Sequence, residues 1–301
     1  MKNKPVVVIV FTALGLSVLL FVVLFIATML TGGKTSRRLA PLPGSNRVAL
    51  VKVEGMLVTS EQVVEEISEY SEDSSIKAII VRVDSPGGGV VASQEIYNAL
   101  LNARKEGKKV VISMGSVAAS GGYYIAAAAD KIVANPGTLT GSIGVKMEFA
   151  NMEKLLEKIG VKGMVIKAGE YKDVGSPFRD MTEYEKKLLQ WVIDDVHAQF
   201  IEAVAKGRNL PEADVRAIAD GRIFTGRQAL QLKLVDHLGD LDETIRVAAE
   251  LAGIKGKPNV VHREKKMQFL EYLKEETASW FSEFLARSLG RTMVKLEYLY
   301  Q

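Results

Sequence analysis

Lys77-Ala-Ile-Ile-Val-Arg-Val-Asp-Ser-Pro-Gly-Gly-Gly89 is a β-branched run that stops abruptly in a proline-glycine turn. Residues 77–83 predict a strand, because branched side chains fit a pleated, buried surface. The turn ends it, and from about Val90 to Lys105 the periodicity becomes helical. The same unit then recurs. Lys109-Val-Val-Ile-Ser-Met114 is a further branched strand, and Ala118-Ala-Ser-Gly-Gly122 is a second glycine-rich loop. Upstream, residues 47–53 form a strand and 62–70 a helix with Val63, Val64, Ile67 and Tyr70 on one side. Downstream, the short apolar runs 131–134 and 164–167 continue the alternation. Thr182-x-x-Glu185 is a capping-box signature that opens a long helix toward Lys206. Strands alternating with helices predict an α/β domain with a mostly parallel sheet.

The ends of the chain differ from this body. Between Pro5 and Gly33 there is no charged residue, and residues 6–30 are mostly Val, Leu, Ile and Phe. About 20 apolar residues span a bilayer core, whereas a cleavable signal has roughly 7–15 before a small-x-small site. Ala27-Thr-Met29 breaks that site, so a retained transmembrane helix is expected. Lys2 and Lys4 on one flank nearly balance Lys34, Arg37 and Arg38 on the other, which leaves the orientation open. Residues 32–46, with Pro41 and Pro43, read as a linker. The expected division is therefore an anchor and linker at 1–46, a body at 47–256 and an amphipathic helical tail at 257–301. In the tail, Leu270, Leu273, Phe281, Phe284 and Leu285 fall near one helical face. Packing on its own domain or on a neighbouring subunit is the simpler reading of that face, and an interfacial or autoinhibitory segment is the sharper one.

Composition narrows the chemistry. The absence of cysteine removes thiol nucleophiles, disulfides and thiolate metal sites. A formal charge of only +3, spread along the chain, argues against a nucleic-acid surface. Neither a metal nor a cofactor is expected.

Both glycine loops sit where a strand hands over to a helix, so N–H groups at the helix start lack internal acceptors. Such groups suit the negative charge of a tetrahedral intermediate. Ser120, between small residues, would present its hydroxyl there. The G-x-S-x-G elbow is absent, since position 118 is alanine. A serine needs a base. His197 lies in the long predicted helix, His237 in Val235-Asp-His-Leu-Gly239 and His262 beside Arg263, and none falls in a glycine loop. A lysine can serve only when neutral, so its pKa must fall from about 10.4 through burial. Read from composition alone, Lys172 is a surface residue flanked by Glu170 and Asp173.

Val83-Asp-Ser-Pro-Gly-Gly-Gly89 and Met114-Gly-Ser-Val-Ala-Ala-Ser-Gly-Gly-Tyr-Tyr124 resemble segments of the short bacterial signal peptide peptidases of the SppA type. So do Ala129-Asp-Lys-Ile-Val-Ala134, Leu139-Thr-Gly-Ser-Ile-Gly-Val145 and Tyr171-Lys-Asp-Val-Gly-Ser-Pro177. The resemblance runs from about Arg47 to Gly253. It implies a ClpP/crotonase-like fold and a Ser-Lys dyad of Ser120 as nucleophile and Lys172 as general base. It further implies Gly87 and Gly121 as oxyanion-hole donors and Ser142 as the serine that orients the lysine amine. A dome-like homo-oligomer, an octamer, with the dyad shared between protomers, is implied as well. Substrates would be apolar signal peptides left in the membrane, cleaved by a single-pass cell-membrane enzyme with an extracytoplasmic body. Two other readings are a crotonase-like acyl-CoA enzyme, which shares a glycine oxyanion hole, and a non-catalytic membrane scaffold.

Overall fold

The computed structural model describes residues 46–263. The expected transmembrane helix and the helical tail from Met267 lie outside these residues. No helix among the described residues is long and apolar enough to cross a membrane.

The body is one eight-stranded sheet in the order β6-β5-β3-β2-β1-β8, with β4 and β7 branching from β3. Its centre is β1 (Arg47–Glu54), β2 (Ile76–Ser85) and β3 (Lys109–Ala119), all parallel. The long strand β3 forks. Its first half pairs with β4 (Lys131–Ala134), which continues to β7 (His237–Leu238). Its second half pairs with β5 (Leu139–Gly141), which meets β6 (Ile223–Thr225) in the sheet's one antiparallel pairing. The last strand, β8 (Asn259–Val261), pairs with the start of β1, so the sheet continues past residue 256. Gly256 and Pro258 set the turn that brings this branched run back to the edge.

Alternation along the strands gives the sheet two buried faces. In β2, Ile79, Val81 and Val83 enter a large core under α1 (Glu61–Glu72), α2 (Val90–Lys105), α3 (Gly121–Ala126) and α5 (Glu183–Arg208). Ala78 and Ile80 enter a smaller core with Val247 and Ala248 of α8 (Leu241–Leu251). Short helices α4 (Glu153–Lys158), α6 (Glu212–Ile218) and α7 (Gly226–Gln231) complete the order.

The expected strand at 164–167 does not form. Met164 and Ile166 are 87% and 95% exposed, and the run has no strand partner among the described residues. Apolar composition there does not signal the chain's own core.

Candidate active site

The site is built on the ends of β2 and β3. Val83 pairs with Met114 but Ser85 with Ala118, so β3 bulges between them. Asp84 fills the bulge: its Oδ1 accepts from Val117 N–H at 3.0 Å, and its carboxylate occupies the space beside Gly115. From the other side, Thr138 Oγ1 donates to Gly115 O and Thr140 Oγ1 to Ala118 O, both at 2.7 Å. The end of β3 is thus fixed from both edges.

Ser120 follows, between β3 and α3, with φ +52° and ψ −121°. Its N–H donates to Gly141 O at 2.9 Å, and its carbonyl accepts from Tyr124 N–H at 2.9 Å. Positive φ on a side-chain-bearing residue costs about 1–3 kcal/mol and persists where the surroundings over-determine it. Ser142, at the end of β5, has φ +49° and donates its N–H to Arg222 O at 2.9 Å. Two strained serines therefore stand at adjacent strand ends, linked through Gly141.

Both line a cavity of about 690 Å³, together with Gly87, Gly88 and Gly121. Met56, Val90, Val145, Ile193, Val196 and Phe200 make part of its wall apolar. The N–H of Gly121 opens α3 and has no acceptor among the described residues. Gly87 has φ +102°, and a Cβ on it would lie 2.7 Å from Gly121 N and 2.8 Å from Ser120 Cβ. Only glycine lets the two loops approach so closely. The N–H of Gly87, however, donates to Ser85 Oγ at 3.1 Å. Next to it, Gly88 touches the Leu57 backbone where a Cβ would clash, in a bridge held by Leu57 N–H to Gly87 O at 2.9 Å and Gly89 N–H to Leu57 O at 2.7 Å. The N–H of Gly88 has no acceptor among the described residues, which makes it a donor that sequence reading did not single out.

Lys172 is not brought to this cavity within one chain. It is exposed, in a turn where its own N–H donates to Gly169 O at 3.3 Å. Its acidic neighbour Asp173 is turned into Arg179 and Lys167, and these hydrogen bonds, Arg179's first, hold that carboxyl well below the usual range. The lysine lining the cavity is Lys146, whose ammonium lies 2.8 Å from Glu148 Oε1. His197 of α5 also lines it, with Nε2 buried and unpartnered among the described residues and no hydrogen bond to Ser120. At the rim, hydrogen bonds from Arg222 push the Asp220 carboxyl down to about 2. His237 lies in β7, and His262 follows β8.

Matches to known proteins identify the family. The model for Peptidase family S49 matches residues 102–255, and that for Clp protease matches residues 45–138. A protein of Synechocystis sp. described as a protease is 47% identical over 209 residues, covering 69% of this chain and 75% of its own length. One of Enterococcus faecium described as a signal peptide peptidase SppA is 35% identical, covering 75% of this chain and 62% of its own length. Among solved structures, a variant of the membrane-bound stomatin-specific protease 1510-N superposes with a TM-score of 0.51 at 17% identity, covering 74% of this chain and 100% of its own; that likeness concerns the fold. With a family model spanning more than half its length and relatives this similar, the chain belongs to peptidase family S49 and is a serine protease of that family.

Proposed function

We propose that the protein is a membrane-anchored endopeptidase in which Ser120 and Lys172 form the catalytic dyad. The observation that carries the reading is Ser120 itself, held at positive φ in the lining of a partly apolar cavity, beside a helix-start amide with no acceptor among the described residues. Ser120 Oγ attacks the peptide carbonyl while the neutral Lys172 amine takes its proton, then returns it to the leaving amine. Gly121 N–H and an amide of the Gly87-Gly88 turn receive the oxyanion. Of that turn, Gly88 has the unengaged N–H, while Gly87 supplies the close approach and would have to release Ser85 Oγ to donate. Ser142, in the same cavity, orients the amine.

The exposure of Lys172 supports a dyad completed between protomers, because burial in an assembly is what would lower an ammonium's pKa. The apolar cavity wall supports apolar peptide substrates, and the uncharged stretch at 6–30 supports a single membrane pass. In this reading the substrates are remnant signal peptides, and the body works outside the cytoplasm as an octamer.

The test uses the full chain in detergent micelles with a Leu-rich unfolded peptide. Ser120→Ala and Lys172→Ala each lose cleavage by roughly 10³-fold or more. Lys146→Ala and His197→Ala remain within about tenfold of the unaltered protein. Cleavage that survives in Lys172→Ala but is lost in Lys146→Ala or His197→Ala would move the base to the residue whose replacement abolishes it.

A further inference from the structure

Between α4 and α5 the chain runs from Ile159 to Thr182 without a regular element, and it carries Lys172. A base on such a segment needs something to hold it. One side chain ties the Lys172 turn to the start of α5. The Arg179 guanidinium donates from Nε to Asp173 Oδ2 and from Nη2 to Asp173 Oδ1, each at 2.9 Å. It also donates from Nη1 to Glu185 Oε2 at 2.9 Å and from Nη2 to Glu185 Oε1 at 2.5 Å. Both pairings are of the fork type that fixes orientation as well as distance. Asp173 is the chain neighbour of Lys172, and Glu185 is already fixed, because its Oε2 accepts from Thr182 N–H at 2.9 Å in the cap of α5. The two carboxylates are 11% and 5% exposed, although the segment around them is largely open.

We propose that Arg179 is a positioning residue of the reaction: it fastens the Lys172 turn to the first turn of α5 and, with Lys167, takes up the charge of Asp173 beside the lysine. This inference rests on Lys172 being the base. Arg179 touches no reacting atom. A lysine in its place keeps the charge but cannot bind two carboxylates through a planar fork, so the pairing and not the charge alone is what counts.

The experiment measures kcat and KM separately for the full chain in micelles, with Arg179→Lys, Arg179→Met, Asp173→Asn, the Asp173→Asn/Arg179→Met double variant and Lys172→Ala. A misplaced base lowers kcat by about tenfold or more in Arg179→Met and leaves KM within about twofold. Arg179→Lys falls between it and the unaltered protein. The two single changes break one clamp, so the double variant is no worse than Arg179→Met alone. A kcat for Arg179→Met equal to that of the unaltered protein, or additive losses in the double variant, overturns the proposal. If Arg179→Met does not fold, Arg179→Lys and Asp173→Asn decide it by the same kcat criterion. Failure of the underlying reading looks different: Lys172→Ala then keeps its activity whatever Arg179 does.

Discussion

At the scale of single residues, the site depends on how closely two backbones approach. Gly87 lies against Ser120 and Gly121 at distances no Cβ tolerates, and its φ of +102° disfavours any other residue. Gly87→Ala must push the turn away from the nucleophile, and a displacement of even 1 Å at reacting groups costs about 10²-fold. The expected result is a loss of about that size in kcat/KM, accompanied by a lower Tm, because a Cβ at this φ and this spacing is strained. A variant that kept its rate would show that the turn does not contribute to the oxyanion site. Below the nucleophile, Tyr123 is fully buried and donates its hydroxyl to Leu234 O at 2.8 Å. Tyr123→Phe leaves that carbonyl unsatisfied and should cost about 1–3 kcal/mol in urea unfolding, with less effect on the catalytic constants. Ser120 and the glycine turns were legible in the sequence, because small residues after a branched strand have a direct geometric reading. His197, Lys146 and the amide of Gly88 were not, since their place in the cavity depends on how α5, the segment after β5 and the Leu57 bridge meet the loops.

At the scale of elements, the long runs were readable and the short ones were not. Helix α2 spans Val90–Lys105 as its periodicity predicts, and α5 opens at Thr182 with both capping-box bonds in place. Strand β3, by contrast, runs five residues beyond Met114 to Ala119, because the bulge is held by Asp84, Thr138 and Thr140 and not by local propensity. Strands of two or three residues such as β5, β6 and β7 carry too little alternation to register. The α5 cap makes its own prediction. Thr182 Oγ1 accepts from Glu185 N–H at 3.2 Å, so Thr182→Ala should cost about 1 kcal/mol and lower Tm by about 2–4 °C. The same turn responds to acid. Hydrogen bonds from Arg179, then from Thr182, bring the Glu185 carboxyl from an ordinary value of 4.5 down to about 2. A carboxyl depressed in the folded state contributes stability that is present above its unfolded pKa and lost as pH falls through the folded one. Tm should therefore decline between pH 4.5 and about 2, and Glu185→Gln should flatten that part of the curve. An unchanged slope in the variant would remove Glu185 from the account.

At the scale of the whole molecule, one chain holds Ser120, Gly121, Ser142 and the glycine turn in a single cavity and leaves Lys172 outside it. The stretch of chain that carries Lys172, from α4 into α5, exposes much apolar surface to water: Leu155, Ile159, Met164, Ile166 and Trp191 are all more than half exposed. Exposed patches of this kind mark contact surfaces. If the proposed assembly completes each dyad with a lysine from a neighbour, two inactive variants become active when combined. A protomer with Lys172→Ala keeps Ser120, and one with Ser120→Ala keeps Lys172. In a random equal mixture, half the serines are intact and half of their neighbouring lysines are intact. Activity should therefore return to about a quarter of the unaltered level after the two are dissociated and reassembled together. Mixing without exchange should give none. Ile166→Glu supplies the control, because its side chain is 95% exposed and adds nothing to the monomer's core. It should leave the fold intact, shift sedimentation toward the monomer and abolish the recovery. Mixed assemblies that form, by sedimentation, yet stay silent would mean that Ser120 and Lys172 must come from one protomer, and that the exposed turn has to close on its own cavity instead.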